Sequence, residues 1–250
     1  MSKKLIAVVG PTGSGKTALA VKLAKKFNGV LISADSRQVY RGLGVGTNKE
    51  GVAGEWNNLP ARMVDGVAQL LVDVAEPGER FTLNDWLVTT RYALERIWQN
   101  GQLPIIVGGT GLYVTALLEG YEPGQGRGAK TKKPVDFESL VLQTNVEREV
   151  LYENSDERFV RVFDAVVAET KHLLVSGVSA DWVDAIGLDY RYALKSIAGE
   201  LSREAAISQF QAASRAYIRR QLTWWRHHNS PFLIKSSTEA EQKVQEFLGK

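Results

Sequence analysis

Short apolar runs alternating with amphipathic stretches predict an α/β fold, a mostly parallel sheet flanked by helices with an added helical region near the C-terminus. Leu5-Ile6-Ala7-Val8-Val9 is a continuous apolar run that stops at Gly10. Such a run reads as a strand buried on both faces. Three more runs behave alike. Val30–Ile32 stops at Ser33-Ala34-Asp35, Leu70–Val72 at Asp73, and Leu103–Val107 at Gly108-Gly109. Helices fit between them. Lys16 to Phe27 is apolar at Ala20, Leu23, Ala24 and Phe27, and Leu83 to Trp98 fits between the last two strands. Parallel strands joined this way take right-handed crossovers, and ligands bind beyond their carboxyl ends.

The segment Gly120 to Pro134 interrupts the pattern. It carries four glycines, two prolines, Arg127, Lys130, Lys132 and Lys133, against the single acid Glu122. It reads as a flexible basic loop. Helical spacing returns from Val146 to Leu174 and from Arg203 to His228; the tail after Ser230 shows no clear pattern. The expected organisation is one domain over 1–250, with a basic loop at 120–135 and an arginine-rich helix at 203–228.

Composition narrows the chemistry. Of 250 residues, 44% are hydrophobic and 24% charged, which excludes wholesale disorder. The net charge of +3 is too small to identify a nucleic-acid binder without clustering. There is no cysteine, so disulfides, zinc-thiolate sites and thiol nucleophiles are excluded. His172, His227 and His228 are the only histidines and make a poor metal set. No apolar run approaches the roughly 18 residues of a membrane span. The two lysines before Leu5 are followed by too short a run for a signal peptide. A cytoplasmic protein with no membrane attachment is expected.

Gly10-Pro11-Thr12-Gly13-Ser14-Gly15-Lys16-Thr17 fits G-x-x-x-x-G-K-[ST], placed after a strand and opening a helix. The glycines let successive backbone N–H groups face one point, and the helix N-terminus adds partial positive charge. Lys16 adds a full charge, and the Thr17 hydroxyl can reach Mg²⁺. The pattern predicts a P-loop three-layer fold and a di- or triphosphate site. Taken alone, it fits an ATP-binding kinase of a nucleotide or small metabolite equally well.

Ser33-Ala34-Asp35-Ser36-Arg37-Gln38-Val39-Tyr40-Arg41-Gly42 follows the second strand. Asp35 is expected beside the phosphate loop, either accepting a proton or binding metal, or capping the next few residues of the chain. Val107-Gly108-Gly109-Thr110-Gly111-Leu112-Tyr113 places three glycines within four positions, a sign of close backbone approach or of a plain tight turn. Ser214 to Arg226 holds four arginines and no acid. On a helix Arg215, Arg219 and Arg226 share one stripe, and Phe210, Tyr217 and Trp224 another. The aromatics are expected on the sheet and the arginines toward phosphates, the alternative being a solvated basic face. Asp73, ending an apolar run, is open between a Mg²⁺ contact through water and an ordinary strand end.

These four motifs, in this order, resemble those of the tRNA dimethylallyltransferase family, also called tRNA isopentenyltransferases. The phosphate loop matches Gly10 to Thr17, and the Asp-Ser-Arg-Gln-Val-Tyr-Arg-Gly run matches Asp35 to Gly42. Gly-Gly-Thr-Gly-Leu-Tyr matches Gly108 to Tyr113, and the late Arg-x-Tyr-x-[KR]-Arg-Gln-x-Thr-Trp matches Arg215 to Trp224. The resemblance implies attack by N6 of adenosine 37, in a tRNA anticodon loop, on dimethylallyl diphosphate, with diphosphate leaving. It implies diphosphate binding by Gly10, Pro11, Thr12, Gly13, Ser14, Gly15, Lys16, Thr17 and Arg215, with Mg²⁺ at Thr17. Asp35 would be the general base, Thr110 would position the acceptor, and Lys16 and Arg215 would stabilise the leaving group. Ser36, Arg37, Gln38, Arg219, Arg220 and Gln221 would contact tRNA beside Asp35 and Thr110. A monomer is expected.

The sequence departs from the family pattern in three places. The helical insertion that comes after Gly-Gly-Thr-Gly-Leu-Tyr is replaced by the short stretch Gly120 to Pro134. Ala68-Gln69-Leu70 stands where relatives often carry Pro-His-His or Gln-His, and Ile186-Gly187-Leu188-Asp189-Tyr190 stands for Ile-Gly-Tyr-Lys-Glu.

Overall fold

The computed structural model describes residues 3–122 and 132–249. The N-terminal unit is β1 (Lys3–Val9), α1 (Lys16–Phe27) and β2 (Gly29–Ser33). A hairpin of β3 (Val52–Trp56) and β4 (Leu59–Val64) leads into β5 (Val67–Leu70). Then come α2 (Leu83–Gln99), β6 (Leu103–Gly108), α3 (Gly111–Leu118) and β7 (Phe137–Thr144). Helices α4 (Arg148–Val175), α5 (Ala180–Ile186), α6 (Leu188–Ile197) and α7 (Arg203–His227) are next, then β8 (Phe232–Ile234) and α8 (Ser237–Leu248).

The eight strands of the described residues form one sheet, in the order β3-β4-β5-β2-β6-β1-β7-β8. From β5 to β8 every pairing is parallel; β4 joins β5 and β3 joins β4 antiparallel. In the centre Val8 lies opposite Val107 of β6 and Leu142 of β7. The β1 and β6 tips, Gly10 and Gly108, therefore emerge side by side. Strand alternation splits the core into two faces. Ile6, Val8, Leu31 and Leu142 pack beneath Leu23 and Phe27 of α1 and Val244 of α8. Leu5, Ala7 and Val9 pack against Trp86 and Leu94 of α2, Val114 and Leu117 of α3, and Trp225 of α7. The result is three layers.

The parallel α/β arrangement is observed, and α1, α2, α4 and α7 fall close to where the periodicity places them. The strand expected at Leu70–Val72 is shifted: β5 spans Val67–Leu70, and Leu71 and Asp73 adopt left-handed backbone (φ 60° and 57°). Ala68-Gln69 hides this strand by interrupting its apolar run, although Gln69 is buried. The tail, patternless in sequence, supplies edge strand β8 and helix α8, which is bound to α1 through Glu241 with Lys22 and Lys26.

Helices α4 to α7 build a second helical group with its own core. Phe159 of α4 stacks on Phe210 of α7 at 3.6 Å between ring centroids. Asn154 of α4 donates to the Gly13 carbonyl (3.0 Å), and Gln221 of α7 reaches the loops after β1 and β6. This group thus covers the carboxyl end of the sheet, where the glycine-rich tips emerge. No helix among the described residues is long and apolar enough to cross a membrane.

Candidate active site

The phosphate loop joins β1 to α1 as its sequence demands. Gly13 and Gly15 take left-handed φ values of 79° and 75°, which a side chain resists. Ser14 is buried and accepts from the Thr144 hydroxyl of β7 at 2.7 Å, which ties the loop to the sheet. Lys16 donates to the Pro11 carbonyl at 3.3 Å. Burial lowers the Lys16 pKa from the ordinary lysine value, against the opposing pull of Asp35 and Glu50. An ammonium held in such surroundings gains strongly from an arriving anion. A cavity of about 240 Å³ opens over the loop, with Lys16 and Thr17 on one wall, Asp35 and Arg37 on another, and Asn154 and Arg158 of α4 on a third.

Asp35 caps the turn after β2, one of the roles its sequence leaves open. Oδ1 accepts the backbone N–H groups of Arg37 (2.9 Å) and Gln38 (3.4 Å), an Asx turn that caps the segment after β2. Among the described residues no donor is assigned to Oδ2, and Asp35 lines the cavity. One carboxylate oxygen is thus engaged by the backbone, and the other has no hydrogen-bond donor among the described residues. Thr110 sits beside it, its hydroxyl oxygen accepting from the Ser36 N–H at 3.1 Å and keeping its own proton to donate. Gln38 bonds the Ser33 hydroxyl (3.0 Å) and the Thr47 carbonyl (3.2 Å), which pins the next loop. The Arg37 guanidinium lies 5.1 Å from the Tyr217 ring centroid, on the wall of the cavity.

The three glycines after β6 each make room for something. A Cβ on Gly108 would lie 2.2 Å from the Ala34 carbonyl oxygen, one on Gly109 2.6 Å from Gln221 Nε2, and one on Gly111 2.3 Å from Trp224 Cδ1. The close approach inferred from this motif is therefore real, and two of its three partners belong to α7. Trp224 donates to the Thr115 hydroxyl (3.2 Å) and stacks on His228.

The arginine helix corrects three expectations. Only part of its aromatic stripe meets the sheet: Phe210 packs on α4 and Tyr217 between Arg37 and Arg220, while Trp224 packs on α3 against the sheet core. Trp225, beside it, is buried within that core. Gln221, expected at tRNA, is buried, and both ends of its amide are spent inside the protein. Arg219 and Arg220 are exposed. Arg215 is not on the cavity wall; it donates to Asp156 at 2.6 Å, above the Tyr152 ring.

Asp73 is held by Lys49 (2.5 Å) on one oxygen and by Arg62 (3.0 Å) on the other, which makes it a structural anion between the hairpin and the loop after Gly42. In the basic segment Lys132 pairs with Glu119 at 2.5 Å and Lys133 with Glu122 at 3.1 Å. Arg127 and Lys130 lie outside the described residues.

Sequence reading missed the far wall. Arg158, largely buried, pairs with Asp189 of α6. Glu169 accepts the N–H groups of Gly44 (2.6 Å), Val45 (3.0 Å) and Gly46 (3.1 Å), and the Tyr190 hydroxyl (2.6 Å). Burial, reinforced by Glu169, pushes the Tyr190 hydroxyl pKa well up, so it stays a donor. The one available signal was Gly42-Leu43-Gly44-Val45-Gly46, a glycine alternation that leaves backbone amides open to an anion.

Comparison with known proteins shows which family the chain resembles. The family described as isopentenyl transferase matches residues 3–54, and the family described as IPP transferase matches 38–132 and 123–228. The tRNA dimethylallyltransferase of Streptococcus gordonii is 31% identical over 280 positions, covering 92% of each chain. That of Solibacter usitatus is 30% identical, covering 98% of this chain and 99% of its own. The crystal structure of the tRNA isopentenylpyrophosphate transferase from Bacillus halodurans superimposes with a TM-score of 0.83 at 27% identity, over 99% of this chain and 96% of that one. The S. gordonii alignment is longer than this chain's 250 residues, so at least thirty positions of it have no counterpart here. The two IPP transferase matches meet at 123–132.

Proposed function

The chain belongs to the tRNA dimethylallyltransferase family, and from that premise we propose that it transfers a dimethylallyl group from dimethylallyl diphosphate to N6 of adenosine 37 in tRNA. The N6–C1 bond forms, the C1–O bond breaks with its electron pair going to diphosphate, and an N6 proton goes to a base. The observation that carries this reading is the meeting of the phosphate loop and Asp35 on one cavity, with Thr110 bonded to the residue next to Asp35. A phosphate loop facing a carboxylate would also serve a kinase, whose acceptor hydroxyl loses a proton in the same way; membership of the family is what favours an exocyclic amine as the acceptor.

Negative charge grows on the leaving diphosphate, so donors already aimed there lower the barrier. The loop N–H groups, the α1 N-terminus and Lys16 supply them. Arg215 joins them in this proposal by leaving Asp156. Among the described residues no three acidic, histidine or cysteine side chains gather to hold a metal. Thr17 on the cavity wall offers one hard oxygen, which suits Mg²⁺ because that ion takes few protein ligands and fills its shell with phosphate oxygens and water. Held by Thr17, Mg²⁺ would neutralise charge on the diphosphate.

Asp35 Oδ2 takes the N6 proton, while the Oδ1 turn fixes the carboxylate. Thr110 orients the amine. Adenine stacked in an anticodon loop cannot reach this cavity, so it is extruded into it. Arg37 and Gln38 line the cavity and, with Ser36 beside them, would contact the extruded base and its neighbours, and Arg219 and Arg220 offer phosphate contacts outside. With the usual insertion shortened to the 120–135 stretch, that stretch supplies further contacts. The working form is a cytoplasmic monomer acting on the anticodon loop. Incubating the protein with dimethylallyl diphosphate and tRNA, and digesting the tRNA to nucleosides, tests this: prenylated adenosine is expected, and its absence overturns it.

A further inference from the structure

The buried amide of Gln221 joins three motifs that are far apart in sequence. Its Oε1 accepts the Thr12 N–H of the phosphate loop at 3.2 Å, and its Nε2 donates to the Gly109 carbonyl at 2.9 Å. Thr12 lines the diphosphate cavity, and Gly109 immediately precedes Thr110. The side chain comes from α7, the helix that carries Arg215, Arg219 and Arg220. Gln221 is 6% exposed, so no water replaces either bond cheaply. The space is built for it, since a Cβ on Gly109 would fall 2.6 Å from Nε2. An amide is the one neutral group of this length that accepts at one end and donates at the other.

We propose that Gln221 is a positioning residue for the transfer reaction: its amide sets the spacing between the loop that holds the diphosphate and the turn that places Thr110. This rests on the transfer reaction proposed above. Nucleophile and electrophile are held on two different loops, and the rate of such a step is sensitive to their separation. A misplacement of about 1 Å can cost about a hundredfold. Gln221 does not touch the substrates. It acts through Thr12 and Thr110.

Three variants separate this role from plain stabilisation. Gln221→Met keeps length and removes both bonds. Gln221→Glu keeps the acceptor for Thr12 and loses the donor to Gly109. Gly109→Ala leaves Gln221 in the sequence and displaces its amide. The expected result is a fall of about ten- to a hundredfold in single-turnover rate per folded enzyme for Gln221→Met and Gly109→Ala, with KM for tRNA unchanged. Combining Gly109→Ala with Gln221→Met should cost little more than either alone, because both break the same clasp. Inorganic diphosphate affinity, read by calorimetry, should fall in Gln221→Met, and at least as far in Gln221→Glu, whose carboxylate adds negative charge beside the phosphate loop. Wild-type rate and diphosphate affinity in Gln221→Met, with only thermal stability lowered, would overturn the proposal. So would a raised KM for tRNA as the main effect, which would return Gln221 to the tRNA surface. If the wild-type protein prenylates nothing, the transfer reading fails separately, and the diphosphate measurement still decides whether Gln221 orders the loop.

Discussion

Replacing Asp35 by Asn and by Ala separates the two jobs of one carboxylate. Oδ1 holds the Arg37 and Gln38 N–H groups at 2.9 and 3.4 Å, and Asp35 lines the cavity with no donor on Oδ2 among the described residues. Asn keeps a carbonyl oxygen for the turn and loses the base. Ala loses both. A lost cap of this kind costs about 0.5–2 kcal/mol, which in a domain of this size lowers Tm by a few degrees. A lost general base costs about 10²–10⁴ in rate, or roughly 3–5 kcal/mol of transition-state stabilisation. The two variants should therefore share one deep loss in the chemical step, and Ala alone should show the lowered Tm. Single-turnover transfer at saturating dimethylallyl diphosphate and tRNA reads the first effect, and thermal unfolding the second. An Asn variant that transfers at the wild-type rate would refute the reasoning and leave Asp35 a cap only.

Lys16→Ala should abolish measurable diphosphate binding in calorimetry, since the charge among the loop amides is gone. In the wild type, burial lowers the Lys16 pKa, so the ammonium is lost as pH rises through a value below the ordinary lysine range; diphosphate affinity should decline there. Lys16→Arg should remove that decline, and an unchanged profile in Lys16→Arg would exclude Lys16 as its source. Gly108→Ala should destabilise by at least about 1–3 kcal/mol in denaturant unfolding, because the added carbon meets Ala34 backbone at 2.2 Å, which cannot rotate away. Changing Arg127, Lys130, Lys132 and Lys133 together to Ser should weaken tRNA binding and flatten its dependence on log salt by about 0.7–0.9 for each phosphate left unneutralised. Changing Lys132 and Lys133 alone should do less, because Glu119 and Glu122 already neutralise them. Unchanged affinity and slope in the fourfold variant would place the tRNA grip elsewhere.

What the sequence discloses here is what a short stretch decides for itself. Leu5 to Val9 and the loop after it are specified by residues within one turn of each other, so strand, loop and helix were legible together. The hairpin β3–β4 was not, because its outer strand is largely exposed and shows no apolar alternation; the signal was the pair Asn57-Asn58, both left-handed (φ 47° and 62°), as a two-residue hairpin turn requires. The glycines at 108, 109 and 111 announced close packing without naming a partner. Gln221 and Trp224 lie more than a hundred residues away, and no local pattern carries that pairing. The same holds for Glu169, whose carboxylate looks on paper like one more solvated acid of a long helix. Asp35 stood open between cap and base because either role needs the same carboxylate in the same place; the coordinates show the cap on Oδ1, and the Asn variant decides the base.

The most direct test of the transfer itself is mass spectrometry of tRNA after incubation with the protein, Mg²⁺ and dimethylallyl diphosphate, with ATP in a parallel reaction. One dimethylallyl group should replace one hydrogen on the anticodon-loop fragment that holds adenosine 37, with one diphosphate released for each group transferred. Unmodified tRNA together with phosphoryl transfer from ATP would contradict the account and make the loop that of a kinase.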